Sequence, residues 1–173
     1  EMRKMFQAGD VIVCGSHGVC RVEKVGPLSS SVADKDRIYY TLRPLYERGS
    51  VVFTPVDNQK MVIRPVISRE RALELIDGMK EAEGLGIQDE KKREDDYKEA
   101  LKTCRAEELV KMIKTIYARG RSRAARGKKA TDADSRYFKL AEDYLYGELA
   151  VSLGMERDQV KAFIQDRIGG EEN

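Results

Sequence analysis

Between Met5 and Val25 the chain reads MFQAGDVIVCGSHGVCRVEKV, and this stretch leaves little choice of local fold. Val11–Val13 is a run of β-branched apolar residues, Gly15-Ser16-His17-Gly18 interrupts it, and Val19–Val25 then alternates apolar with polar side chains. β-Branched residues suit a pleated surface, and glycines tolerate the positive φ that a tight reversal requires, so the pattern predicts a hairpin. Two more strand-like runs, Ile38–Leu42 and Val51–Val56, follow after brief turns. Four short strands so close together predict a small, strongly curled antiparallel sheet or barrel. Such a module has little concave volume for chemistry and is suited to binding.

Past Pro65 the periodicity changes. Ser68 is placed to cap a helix over 69–83, in which Ala72, Leu75, Ile76 and Met79 recur at helical spacing. Asp89 opens a second helix to about Thr103, and Ala106–Arg119 reads as a third. Gly120–Ala130 is expected to be a loop. Thr131 followed by Asp134 resembles a capping box with a shorter acid, and predicts a fourth helix to Leu153 closed by Gly154. A fifth is expected over Glu156–Ile168. The organisation is thus α+β, with a β module over 1–65 and a bundle of about five helices over 66–173. The spacing Ala150-x3-Gly154-x5-Val160 is that of a helix-turn-helix, but the last helix carries as many acids as bases and reads as packing.

Composition limits the functional classes. The sequence holds three scattered cysteines and a single histidine, so neither a disulfide framework nor a zinc site is expected. There is no apolar run near the twenty or so residues a membrane span needs, and no signal-peptide core. A cytoplasmic, reducing location is expected. With no Gly-rich phosphate loop, no metal set and no nucleophile–base pairing, neither catalysis nor a cofactor is expected.

Charge is unevenly distributed. The total is only +2, yet residues 105–140 hold 11 basic and 4 acidic side chains, whereas 141–173 hold 3 and 8. The bases concentrate at Arg121, Arg123, Arg126, Lys128 and Lys129, with Arg119 and Arg136 flanking them. Such a cluster beside helix ends suits contact with a phosphate backbone; the alternative is a solvated loop. Lys91-Lys92-Arg93 is a second basic group, followed at once by Glu94-Asp95-Asp96, and part of its field is cancelled locally.

Phe6-x-x-Gly9-Asp10, Val13-Cys14-Gly15-Ser16-His17-Gly18-Val19, Tyr39-Tyr40-x-Leu42 and Phe53-x-Pro55-Val56-Asp57-Asn58 together resemble the CarD/CdnL family of bacterial transcription regulators. The same module is shared with the polymerase-interaction domain of the transcription-repair coupling factor. The helical remainder, with Gly147-Glu148-Leu149-Ala150, is similar to that family's C-terminal domain.

The resemblance implies a Tudor- or SH3-like β module that adds its edge strand to the RNA polymerase β subunit. Val51–Val56 resembles the contact strand, which assigns Val51, Phe53 and Pro55 to the interface, with Leu28, Arg37 and Arg48 nearby. Phe53 and Leu28 stand where the family usually has arginine; burial of Phe53 in the core is the alternative. The resemblance further implies a monomer that contacts promoter DNA at the upstream edge of the melted bubble and stabilises the open complex. A tryptophan wedge of the family falls near Arg93, beside Lys92 and Tyr97, and this chain has no tryptophan. A different class remains open: a small-barrel RNA-binding module without polymerase contact, for which basic and aromatic residues should interleave on the barrel face.

Overall fold

Strand polarity follows from the hairpin. In the computed structural model, which describes residues 5–28 and 36–169, Val11–Cys14 (β1) and Gly18–Gly26 (β2) pair antiparallel around a single 3-10 turn at Gly15–His17. Tyr39–Pro44 (β3) pairs with β2, and Val52–Pro55 (β4) with β3. A fifth strand, Ile63–Pro65 (β5), adds to the other side of β1. The order is β4-β3-β2-β1-β5.

This corrects the curled, barrel-like module expected from the sequence. The sheet is antiparallel but open, neither closed nor strongly curled, and among the described residues it has five strands rather than four. Closure requires the two end strands of the order to pair with one another. Here β5 fills the vacant side of β1, which leaves β4 and β5 as opposite edges. The Tudor/SH3-like expectation fails for the same reason. β5 escaped sequence reading because three residues ending in proline are too few to show alternation.

One face of the sheet is buried. Ile12, Cys14, Cys20, Val22, Tyr40 and Leu42 form its core, with Phe6, Val25, Val52, Val56, Met61 and Ile63 packed against it. Tyr40 is in the core and Tyr39 half-buried, as alternation along a strand requires. The Tyr40 hydroxyl accepts a hydrogen bond from Phe6 N at 3.1 Å, which satisfies its polar end.

The chain divides into two compact units, Glu1–Val66 and Ile67–Asn173. The second is helical. Ser68 caps Arg69–Asp77 (α1) by accepting from Arg71 N at 3.0 Å; Gly78 ends this helix six residues before the expected limit. Asp89 caps a 3-10 turn at Glu90–Lys92 that leads into Arg93–Thr103 (α2). Cys104, at φ 56, turns the chain sharply into Ala106–Ala125 (α3). Thr131 caps Asp132–Leu153 (α4), Gly154 closes it in the left-handed conformation, and Val160–Arg167 (α5) follows a short 3-10 turn.

The apolar stripes of these helices meet in one core that includes Leu75, Ile76, Tyr97, Met112, Leu145, Leu149 and Val160. Buried Glu148 accepts from Ile67 N at 2.9 Å, and Ser152 Oγ donates to Ile67 O at 2.8 Å. Two polar side chains of α4 thereby fix the first residue of the helical unit.

Candidate functional site

Among the described residues β4 is an edge strand, and its register decides which groups face outward. Leu42 opposes Val52, Thr41 opposes Phe53, Tyr40 opposes Thr54 and Tyr39 opposes Pro55. Val56 N donates to Ile38 O at 3.0 Å, so the bonded positions are the even-numbered ones. In an antiparallel ladder the intervening residues turn their backbone groups away from the partner strand. Phe53 therefore presents its N–H and C=O on the outer rim, whereas Pro55 has no N–H and its carbonyl already accepts from Asn58 N at 3.1 Å.

Side chains alternate about the sheet as well. Thr54 is buried and its Oγ1 accepts from Asn58 Nδ2 at 2.9 Å, whereas Phe53 is 55 % exposed. Phe53 is not a core residue. Val51, just before β4, and Leu28 are half-buried; Arg48 is exposed. Arg37 is exposed too, 3.4 Å from Asp57 and 6.0 Å over the Tyr39 ring.

The basic residues of the helical unit fall into two groups of different character. The first is internal. Asp134, in the first turn of α4, is 1 % exposed, yet it is charged because three donors converge on it. Arg119 Nε reaches Oδ2 at 2.9 Å; Arg93 Nε and the Tyr97 hydroxyl reach Oδ1 at 3.2 and 2.9 Å. Arg119 also pairs with Glu90, and Arg93 donates to Thr131 Oγ1 at 3.2 Å. Burial acts to raise the Asp134 carboxyl, but the bonds from Arg119, Tyr97 and Arg93 outweigh it and hold it below the usual carboxylate range. Tyr97 is pushed up, by burial first and then by the Asp134 carboxylate.

Arg93, Tyr97 and Arg119 are thus assembled around Asp134 inside the bundle, and Tyr97 presents no surface to a ligand. Asp134 is the residue that sequence reading missed as part of the site. Its only local signal is the short capping box, for Thr131 Oγ1 does accept from Asp134 N at 3.1 Å.

The second group is external. α3 runs through Gly120 to Ala125, so Arg121 and Arg123 lie on a helix where the sequence suggested a loop. Arg126 N and Lys128 N both donate to Arg123 O at 2.9 Å, and Arg123 Nε donates to Lys129 O at 2.8 Å. The loop of Arg126, Lys128 and Lys129 is thereby tied to the end of α3 with its three cationic side chains exposed. Arg121 is exposed over Tyr117 at 6.0 Å, Arg136 is 3.7 Å from Glu94 and 5.1 Å over Tyr137, and Lys92 is exposed at the start of α2.

Residues 6–67 match the family model described as the CarD-like/TRCF RID domain. The N-terminal unit is therefore similar to CarD-like/TRCF RID domains. The match ends at Ile67, where the sheet unit gives way to the helical one, so α1–α5 lie outside it. Among curated proteins no match to the chain was found. Within the matched residues the exposed β4 rim is a candidate protein interface. Outside it, the α3–α4 loop is a candidate nucleic-acid interface. Among the described residues no three of His, Cys, Asp and Glu come together, and no helix is long and apolar enough to cross a membrane.

Proposed function

We propose that this chain is a non-enzymatic transcription regulator of CarD type, acting as a monomer in the cytoplasm. The RNA polymerase-interacting character of the family whose domain it carries supports this reading. Its sheet unit binds the polymerase β subunit by strand addition at β4, and its helical unit holds promoter DNA at the upstream edge of the bubble through Arg121, Arg123, Arg126, Lys128 and Lys129. By binding the open promoter complex better than the closed one it shifts that equilibrium; about 1–3 kcal/mol is the usual scale of such coupling.

The observation that carries the reading is Phe53: a large apolar side chain turned to solvent on an edge strand, at a position whose own backbone groups are turned away from the ladder. Strand addition draws affinity from such a rim and selectivity from the side chains that alternate along it. An exposed, apolar edge without a partner is otherwise an aggregation hazard. The test is capture of a polymerase β fragment by the full chain, compared with Phe53→Asp. The variant is expected to stay folded, its stability within about 0.5 kcal/mol of the parent as for other surface changes, and to lose capture. Retained capture, with or without nuclease treatment, sinks the assignment of β4.

A further inference from the structure

At the closed end of the β1–β2 hairpin, on the side of the sheet away from the β4 edge, Cys14 and Cys20 share one buried cluster with Met61. Cys14 ends β1 opposite Gly18, and Cys20 lies in β2 opposite Ile12, so the two cysteines are diagonal neighbours on one face of the sheet. On its other side Cys14 opposes Ile63 of β5, and Met61, two residues before it, brings Sδ to 3.1 Å from Cys14 Sγ. Both cysteines are fully buried and reduced, whereas Met61 is half-buried.

The backbone is arranged to admit the thioether. Gly15 sits at φ +34, and a Cβ there would lie 2.5 Å from Met61 Cγ. Gly15 N also donates to Val62 O at 2.8 Å, which holds the Met61–Val62 segment against the hairpin. Any side chain at position 15 would displace Met61 from the Cys14 thiol.

We propose that Cys14, Cys20 and Met61 form a binding site for one cuprous ion. Two thiols and a thioether make an all-sulfur set, and soft donors of this kind select Cu(I) among the first-row metals. Zinc is excluded by number, because a structural zinc site needs four donors and these three have no fourth beside them among the described residues. A direct disulfide is disfavoured by the register. Diagonal neighbours lie about 7–8 Å apart at Cα, beyond what an S–S bond spans without backbone movement. An ion between the sulfurs removes that constraint. Binding displaces protons from the ligating thiols to solvent, and copper enters and stays as Cu(I), with no oxidation or reduction. The ion enters past Met61, since this flexible thioether is the partly exposed member of the three.

The experiment is an anaerobic titration of the full chain with Cu(I) in competition with the chromogenic chelator bicinchoninate. The chain is expected to withdraw one copper per molecule and to leave zinc with a comparable chelator. Met61→Leu conserves volume and should keep a native circular-dichroism spectrum while weakening copper capture by about tenfold or more, since even the groups behind metal ligands are worth that much. Cys14→Ala and Cys20→Ala should each abolish capture, so the site is decided even where one variant fails to fold; Cys104→Gly should not affect it. No withdrawal of copper by the natively folded chain overturns the proposal. So does capture unchanged in folded Met61→Leu, or capture lost with Cys104 instead.

Discussion

Asp134 is a buried carboxylate in the most basic part of the chain, and its chemistry follows from its three donors. Two arginines and a tyrosine hydroxyl satisfy both of its oxygens, so desolvation of the charge is compensated. Asp134→Asn removes the charge and leaves Arg93 and Arg119 facing an amide. A loss of about 2–3 kcal/mol is expected by urea unfolding at neutral pH, at the low end for broken internal pairs because both arginines keep some contact with solvent. The pH dependence has a fixed sign. The folded-state carboxyl lies below its ordinary value of 3.8, so its contribution is complete above that pH and fades as pH falls through the depressed folded value. The stability gap between the parent and Asp134→Asn should therefore hold from pH 7 to pH 5 and narrow below about pH 4. A gap that widens in acid would show that the carboxylate is not what the arginines hold. None of this was legible locally. The partners lie 41, 37 and 15 residues away, and charge counting groups Arg93 and Arg119 with ligand-facing bases because it cannot see which cations a fold turns inward.

At the scale of elements, caps were legible and lengths were not. Ser68, Asp89, Thr131 and Gly154 act where the sequence put them, because a cap is decided by the few residues around it. The end of α3 was misplaced. Gly120 costs a helix about 1 kcal/mol relative to alanine, which suggests a break, but Arg119 is anchored to Asp134 and Glu90 one residue earlier and the helix continues. α1 shows the opposite error: apolar spacing continues to Met79, yet Gly78 ends the helix. The sheet was legible as a hairpin with two further strands but not as an open sheet, since a three-residue β5 carries no periodicity. Gly154 offers a clean element-scale test. It sits at φ +69, and a Cβ added there would meet nothing within 4 Å, so any effect of Gly154→Ala is purely conformational. A loss of about 1 kcal/mol is expected in thermal or urea unfolding, with Gly154→Asn costing less because asparagine tolerates the left-handed region. Equal losses for the two would point to packing instead.

For the molecule as a whole, the uneven charge predicts two binding activities that separate under salt. Attraction to a polyanion scales with the counterions released, so duplex binding through Arg121, Arg123, Arg126, Lys128 and Lys129 should fall steeply as salt rises. The proposed attachment through β4 would rest on backbone pairing and an apolar side chain, and should change far less. Replacing Arg126, Lys128 and Lys129 together by alanine tests this without entering the bundle, because all three side chains are exposed. Each lost phosphate contact lowers the slope of log K against log salt by about 1, so a drop of about 3 is expected for promoter DNA. Capture of the polymerase β fragment should persist, and the effect on open-complex lifetime should vanish, since coupling requires both surfaces. If lifetime is unchanged while the slope drops, the loop binds DNA without acting on the promoter. If the slope itself is unchanged, Arg126, Lys128 and Lys129 are a solvated surface, and the proposed DNA contact through this loop fails.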